Sequence, residues 1–120
     1  MAGNASAACK IKHLKGGTLE KICSAEHKTK HKTQKDTYTE HSKDGKSYGC
    51  YATSRIKFQN GNTLHDITDV DCDGKAEAYR CAQHEKTADE GYFVNRSDDP
   101  EWFEKEVDPM YKDIKHNASQ

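Results

Sequence analysis

The chain has 120 residues, 32% of them hydrophobic and 32% charged, with a formal net charge of −1. That composition supports one domain with a lean core, and the lack of any long apolar run excludes a membrane-spanning helix. Near-neutrality excludes a uniformly basic chain but hides a division: residues 1–60 hold 12 Lys and Arg against 5 Asp and Glu, and residues 61–120 hold 7 against 15.

Five cysteines in so short a chain point to covalent support. Sequons at Asn4, Asn95 and Asn117 add to the expectation of a secretory route. No signal peptide is evident, so the chain reads as a mature secreted one. Residues 1–7 are expected to be disordered or an added N-terminus.

Residues 8–14, ACKIKHL, alternate as a short strand does, and Gly16-Gly17 breaks it. Thr18 is a plausible N-cap for a helix of three to four turns, TLEKICSAEHKTKHK, with Leu19, Ile22, Cys23 and Glu26 on one face. On such a helix His27 and His31 are spaced i, i+4, a spacing that can ligate a metal. No third ligand follows and lysines surround both, so a solvated face is the expectation. The charge excess centres on KHLKGG and HKTKHKTQK, making Lys28, Lys30 and Lys32 the candidate RNA-binding residues.

Residues 36–41 (DTYTEH) and 47–58 (SYGCYATSRIKF) read as strands around the turn SKDGKS. The turn NGN leads into a return strand over 63–71 and a third over 75–81, giving an antiparallel meander. If that hairpin turns about Gly61, Cys50 faces Cys72 within bridging reach. Cys9–Cys81 would then close the first strand onto the last, with Cys23 left as a free thiol.

The stretch DVDCDGKAEAYR (69–80) spaces Asp69, Asp71, Asp73 and Gly74 as a calcium loop does. Position 12, which needs a bidentate glutamate, is Arg80, and the flank is strand-like. The expectation is a polar turn with no metal and no cofactor. Beyond it, Asp99-Pro100 and Asp108-Pro109 each place a capping carboxylate before a proline, so two short C-terminal helices are expected. Trp102 and Phe103 are their core anchors.

The text SRIKFQNGNTLHDITDVDCDGKAEAYRC, with Arg55, Phe58, Leu64, Ile67, Gly74 and Cys81, resembles the small guanyl-specific fungal ribonucleases. The start C…GGTLEKICSA resembles their relatives, the ribonuclease-like effectors that powdery mildew fungi secrete into plant cells. The resemblance implies an α+β fold, one N-terminal helix packed on an antiparallel sheet, with residues 8–81 as the core. Residues 82–120 are then a C-terminal extension packing on it, with short helices and a disordered end expected in that scheme.

The resemblance also places a vestigial ribonuclease site at Tyr38, His41, Arg55 and Val70. Valine stands where the family has its catalytic histidine, and SYGCYAT holds no carboxylate to act as base. RNA transphosphorylation needs an acid and a base, each contributing about 10²–10⁴-fold. The implied function is a secreted, catalytically inactive effector, delivered into the plant cell, that binds RNA or a host protein and is recognised by an immune receptor. Two alternatives remain. One is an active, divergent ribonuclease using His41 and Arg55, with Glu40 and with His65 or His84. The other is a secreted disulfide-stabilised toxin-like or binding module.

Overall fold

The structure, a computed structural model, describes residues 7–59, 61–83 and 92–119. Seven strands form one antiparallel sheet in sequence order: β1 (Ala8–His13), β2 (Thr18–Lys28), β3 (Lys32–Lys43), β4 (Lys46–Phe58), β5 (Gly61–Asp69), β6 (Ala78–Gln83) and β7 (Tyr92–Asn95). A helical run follows, made of α1 (Pro100–Trp102), a π-helical stretch (Phe103–Val107) and α2 (Asp108–Ser119).

The expected N-terminal helix is therefore strand β2, and the ribonuclease-like arrangement is overturned. The segment TLEKICSAEHK satisfies both periods, because its few apolar residues fall at helical spacing and also alternate. Pairing decides between them. β2 joins β1 from Leu19 to Ser24 and β3 from Thr18 to Lys28. Alternation then turns Cys23 and Ala25 inward, both buried. Gly16 and Gly17, at φ 78° and 79°, supply the left-handed backbone that reverses the chain from β1 to β2.

The buried face is a cross-strand row, Cys23–Tyr38–Ala52–Ile67–Tyr79, each residue opposite the next. Across it lies the helical run, whose Phe103, Val107, Tyr111, Ile114 and Ala118 are buried at spacings of three and four. Each large side chain there contributes about 1.5–3 kcal/mol by burial. Residues 100–119 thus supply the layer that closes the core against this sheet. They form one run and not two helices. Pro109 has no N–H to donate, and the backbone adjusts just before it, where Asp108 N–H bonds Phe103 O in the wider π turn.

Two polar clamps hold the run in place. Asp108 accepts from Arg96 through both oxygens at 3.0 Å and from the Ala76 N–H at 3.0 Å. Near the other end, Asn117 Nδ2 donates to Asp36 at 3.1 Å. Asp36 is fully buried and also accepts from Ser54 at 2.6 Å and from Gln34 at 3.1 Å.

The bridges are Cys9–Cys23 and Cys50–Cys72, and Cys81 is the free, buried thiol. The expected Cys9–Cys81 bond cannot form. β1 is one edge and β6 lies five strands away, about 24 Å at ordinary strand spacing, whereas a bridge needs Cα atoms within about 7 Å. Cys9 instead faces Cys23, 4.0 Å away between Cα atoms. Cys50–Cys72 is the expected pair, reached by another route. The hairpin pairs Phe58 with Gly61, so Cys50 faces Asp69, and Cys72 comes back from the following loop at φ 59°.

Candidate functional site

Helix α2 covers one face of the sheet, and no described element packs on the other. Strand alternation fixes what that open face carries. On β4 the inward residues are Cys50, Ala52 and Ser54, all buried, and the outward ones are Tyr51, Thr53, Arg55 and Lys57. Their partners on the same face are Thr37 and Lys35 of β3 and Leu64, Asp66 and Thr68 of β5. Carried across all strands, the open face holds Lys10, Lys12, Lys28, Lys35, Lys43, Lys46, Arg55, Lys57 and Arg80 against Glu20, Glu26 and Asp66. The helical run on the other side carries Glu101, Glu104, Glu106, Asp108 and Asp113 against Lys105, Lys112 and Lys115, so the cationic excess lies on the open face.

Two aromatic rings stand in this basic field. Tyr51 is 41% exposed and Phe93 60%. They wall a concavity of about 300 Å³ floored by Thr53, Thr68, Asp66 and Arg80. Asp66 accepts from Thr53 at 2.9 Å and from Arg80 Nε at 3.1 Å, which ties the guanidinium to its cross-strand partner. A second pair of shallow hollows follows β4 outward, lined by Lys35, Thr37, Arg55, Lys57 and Glu26.

At the other end of the face the sheet bulges between Glu40 and His41. His41 Nε2 lies 2.9 Å from Glu20 and Nδ1 lies 3.3 Å from the Gly49 carbonyl. Tyr48 stacks on the imidazole and Tyr51 meets it edge-on, both at 6.0 Å. Gly49 is at φ 62°, and a Cβ there would sit 3.3 Å from the Tyr51 hydroxyl, so the bulge requires glycine.

The four residues of the proposed ribonuclease site do not gather. Tyr38 is buried on the helix side, bonded to Glu40 at 3.0 Å and Cys50 at 3.1 Å, and burial raises its phenol well above the usual range. Arg55 is on the opposite face. It lies four residues along β4 from Tyr51, the neighbour of His41, which is about 13 Å of strand. Val70 is exposed in the loop after β5. His65 faces the helix side, half-buried, its Nδ1 2.6 Å from the Tyr79 hydroxyl, and burial lowers its pKa. His84 lies outside the described residues.

Lys28, Lys30 and Lys32 are on no helix. They surround the tip of the β2–β3 hairpin, with Lys28 3.5 Å from Glu26. His27 is in β2 and His31 in the turn, so their i, i+4 spacing brings no shared face.

The acidic loop between β5 and β6 holds Asp69, Asp71, Asp73 and Glu77 with carboxylate oxygens within 4.8 Å of one another. Three already accept backbone N–H groups: Asp69 from Gly74 at 2.9 Å, Asp73 from Lys75 at 2.9 Å and Glu77 from Val70 at 2.9 Å. Burial raises the Asp69 carboxyl above its ordinary value. Burial raises Glu77 as well, reinforced by the three aspartates, while the Lys75 N–H holds Asp73 low. Position 12 supplies no ligand to this loop: Arg80 lies on β6 with its guanidinium on Asp66, on the open face, and strand β5 leads into the loop where a helix–loop–helix site would have a helix. A calcium ion takes six to eight oxygens, and how many this loop could lend depends on those backbone bonds.

Of the open-face residues that sequence reasoning missed, Tyr51 and Lys57 had a legible signal: in YATSRIK the outward set Tyr-Thr-Arg-Lys alternates with the inward set Ala-Ser-Ile.

No protein-family model, no curated protein and no solved structure matches this chain. The ribonuclease-like resemblance therefore rests on the quoted residues alone.

Proposed function

We propose that this chain is a disulfide-stapled binding protein, without turnover, whose open sheet face holds single-stranded RNA. The fold correction removes the helix-first scaffold. What remains of the earlier expectation is its binding half: secretion, no catalysis and a polyanionic partner. The observation that carries the proposal is the segregation of nine cationic side chains against three acidic ones on a face that also exposes Tyr51 and Phe93. Lysines and arginines on a sheet neutralise phosphates, and exposed rings give unstacked bases a platform worth about 1–3 kcal/mol each. Two disulfides favour an oxidising compartment.

His41 is unsuited to turnover: both ring nitrogens are engaged, one by Glu20 and one by the Gly49 carbonyl, so neither is placed to shuttle a proton to a substrate. Arg55 is too far along β4 to share a phosphate with it.

The test is fluorescence anisotropy with a labelled single-stranded RNA over a salt series. If about five phosphates are neutralised, affinity should fall by about 10²-fold between 50 and 200 mM salt. Tyr51→Ala should weaken binding by about fivefold or more. RNA recovered from the mixture should be intact. No binding at low salt would reject the proposal. Cleavage lost in His41→Ala would give the site to an enzyme.

A further inference from the structure

Two of the three sequons lie among the described residues, and the fold treats them in opposite ways. Asn117 is half-buried on α2, and its Nδ2, the atom an oligosaccharide would occupy, donates to the fully buried Asp36 at 3.1 Å. A sugar on that nitrogen would have to enter the space between helix and sheet where Gln34 and Ser54 also converge on Asp36. Asn95 is exposed at the end of β7, in extended backbone (φ −94°, ψ 149°) leading into the turn Arg96–Asp98. Its backbone N–H is held by the Asp98 side chain at 3.4 Å, and its side-chain oxygen accepts from the Asp98 backbone N–H in return, a capping box that engages the amide oxygen and not Nδ2; Ser97, the sequon hydroxyl, is exposed beside it.

We infer that Asn95 is an N-glycosylation site of this protein and that Asn117, despite its sequon, is not. The acceptor is the Asn95 Nδ2 and the donor a lipid-pyrophosphate-linked oligosaccharide. The N–C1 bond forms, the C1–O bond to pyrophosphate breaks, the lipid pyrophosphate leaves, and one amide proton passes to the transferring enzyme. The glycan has a structural use. β7 is the last strand of the sheet, and unpaired edges invite pairing with other chains. By alternation Asn95 points to the open face, next to Phe93, so the glycan bounds the RNA face at β7 and leaves Lys35 and Lys57 clear.

The inference is independent of RNA binding and needs only a glycosylating compartment. The full chain is translated behind a cleavable leader in microsomes, and protease-protected chains are deglycosylated enzymatically in heavy-oxygen water and mapped by mass spectrometry. The heavy-oxygen mark should appear at Asn95 and be absent from Asn117. Asn95→Gln should remove the mark from that peptide without creating one at Asn117. Unmarked Asn95 in protected chains, or a marked Asn117, overturns the inference. As a check on its cause, Asp36→Ala should raise occupancy at Asn117. Bare Asn117 in that variant too would mean the Asp36 bond is not what excludes the sugar.

Discussion

Removing the Asp108 carboxylate should detach the start of α2 from the sheet. Its two oxygens bind Arg96, and one also accepts from the Ala76 N–H. Ala76 is fully buried, so Asp108→Ala leaves a buried donor without a partner, a cost of about 1–3 kcal/mol. Arg96 keeps one bond, to the Ala76 carbonyl at 3.0 Å, but loses its counter-charge. The two side chains are 23% and 19% exposed, so that loss is well below the full buried-pair value, about 1–2 kcal/mol. Alanine returns a few tenths of a kcal/mol in helix propensity. The net expectation is about 3 kcal/mol, or roughly 10 °C in Tm for a domain of this size. Urea melts followed by Trp102 fluorescence measure it directly, since Trp102 packs edge-on against Tyr79 and Phe103 beside the clamp. Arg96→Ala and the double variant complete a cycle in which the two losses should not add. A change under about 0.5 kcal/mol for Asp108→Ala, or strict additivity, would refute this account of how the helix is held.

Peptide mapping should show Cys9–Cys23 and Cys50–Cys72, with Cys81 alkylated only on unfolding. Serine at both ends of the Cys50–Cys72 bridge, 22 residues apart, should cost about 3 kcal/mol in the loop-entropy picture. His65 is held below its ordinary pKa by burial, so the unfolded chain binds its proton more readily. Its contribution to stability is present above about pH 6.5 and lost as pH falls through that value toward the lower folded pKa, and His65→Gln should flatten that limb of the Tm profile. Glu77 has the opposite sign: its raised pKa makes the charged form unfavourable in the fold. Glu77→Gln should therefore gain a few tenths of a kcal/mol at pH 7 after solvent screening, and the gain should vanish once pH falls below the carboxylate range.

The central meander was legible because β4 is rich in aromatic and β-branched residues and the turn signal NGN separates it from β5. The helix start at Asp99-Pro100 was legible too, from a cap whose Asp99 does accept the Trp102 N–H. β2 was not. Its apolar residues fit both periods, and only its pairing on two sides, which no local window contains, selects the strand. The register of the β4–β5 hairpin was misplaced by three because the turn sits one and a half residues earlier than the glycine suggests. The acidic loop was judged by the flanks of a helix–loop–helix, whereas a loop between two strands carries its twelfth residue away along β6. The basic face was half legible: charge counting found the excess, but the helix assigned to β2 put it at Lys28, Lys30 and Lys32 and overlooked the outward side of β4.

The measurement that bears most directly on the open-face proposal compares two charge reversals of equal size placed on opposite sides of the molecule. Lys35→Glu with Lys57→Glu changes the open face, and Lys105→Glu with Lys112→Glu changes the helix side, where both lysines are exposed. Each pair lowers the net charge equally, so only location differs. The proposal predicts that the open-face pair nearly abolishes binding of single-stranded RNA and reduces the magnitude of the salt slope by about one to two, while the helix-side pair leaves both nearly unchanged. Equal losses from the two pairs, or a larger loss from the helix side, would contradict it.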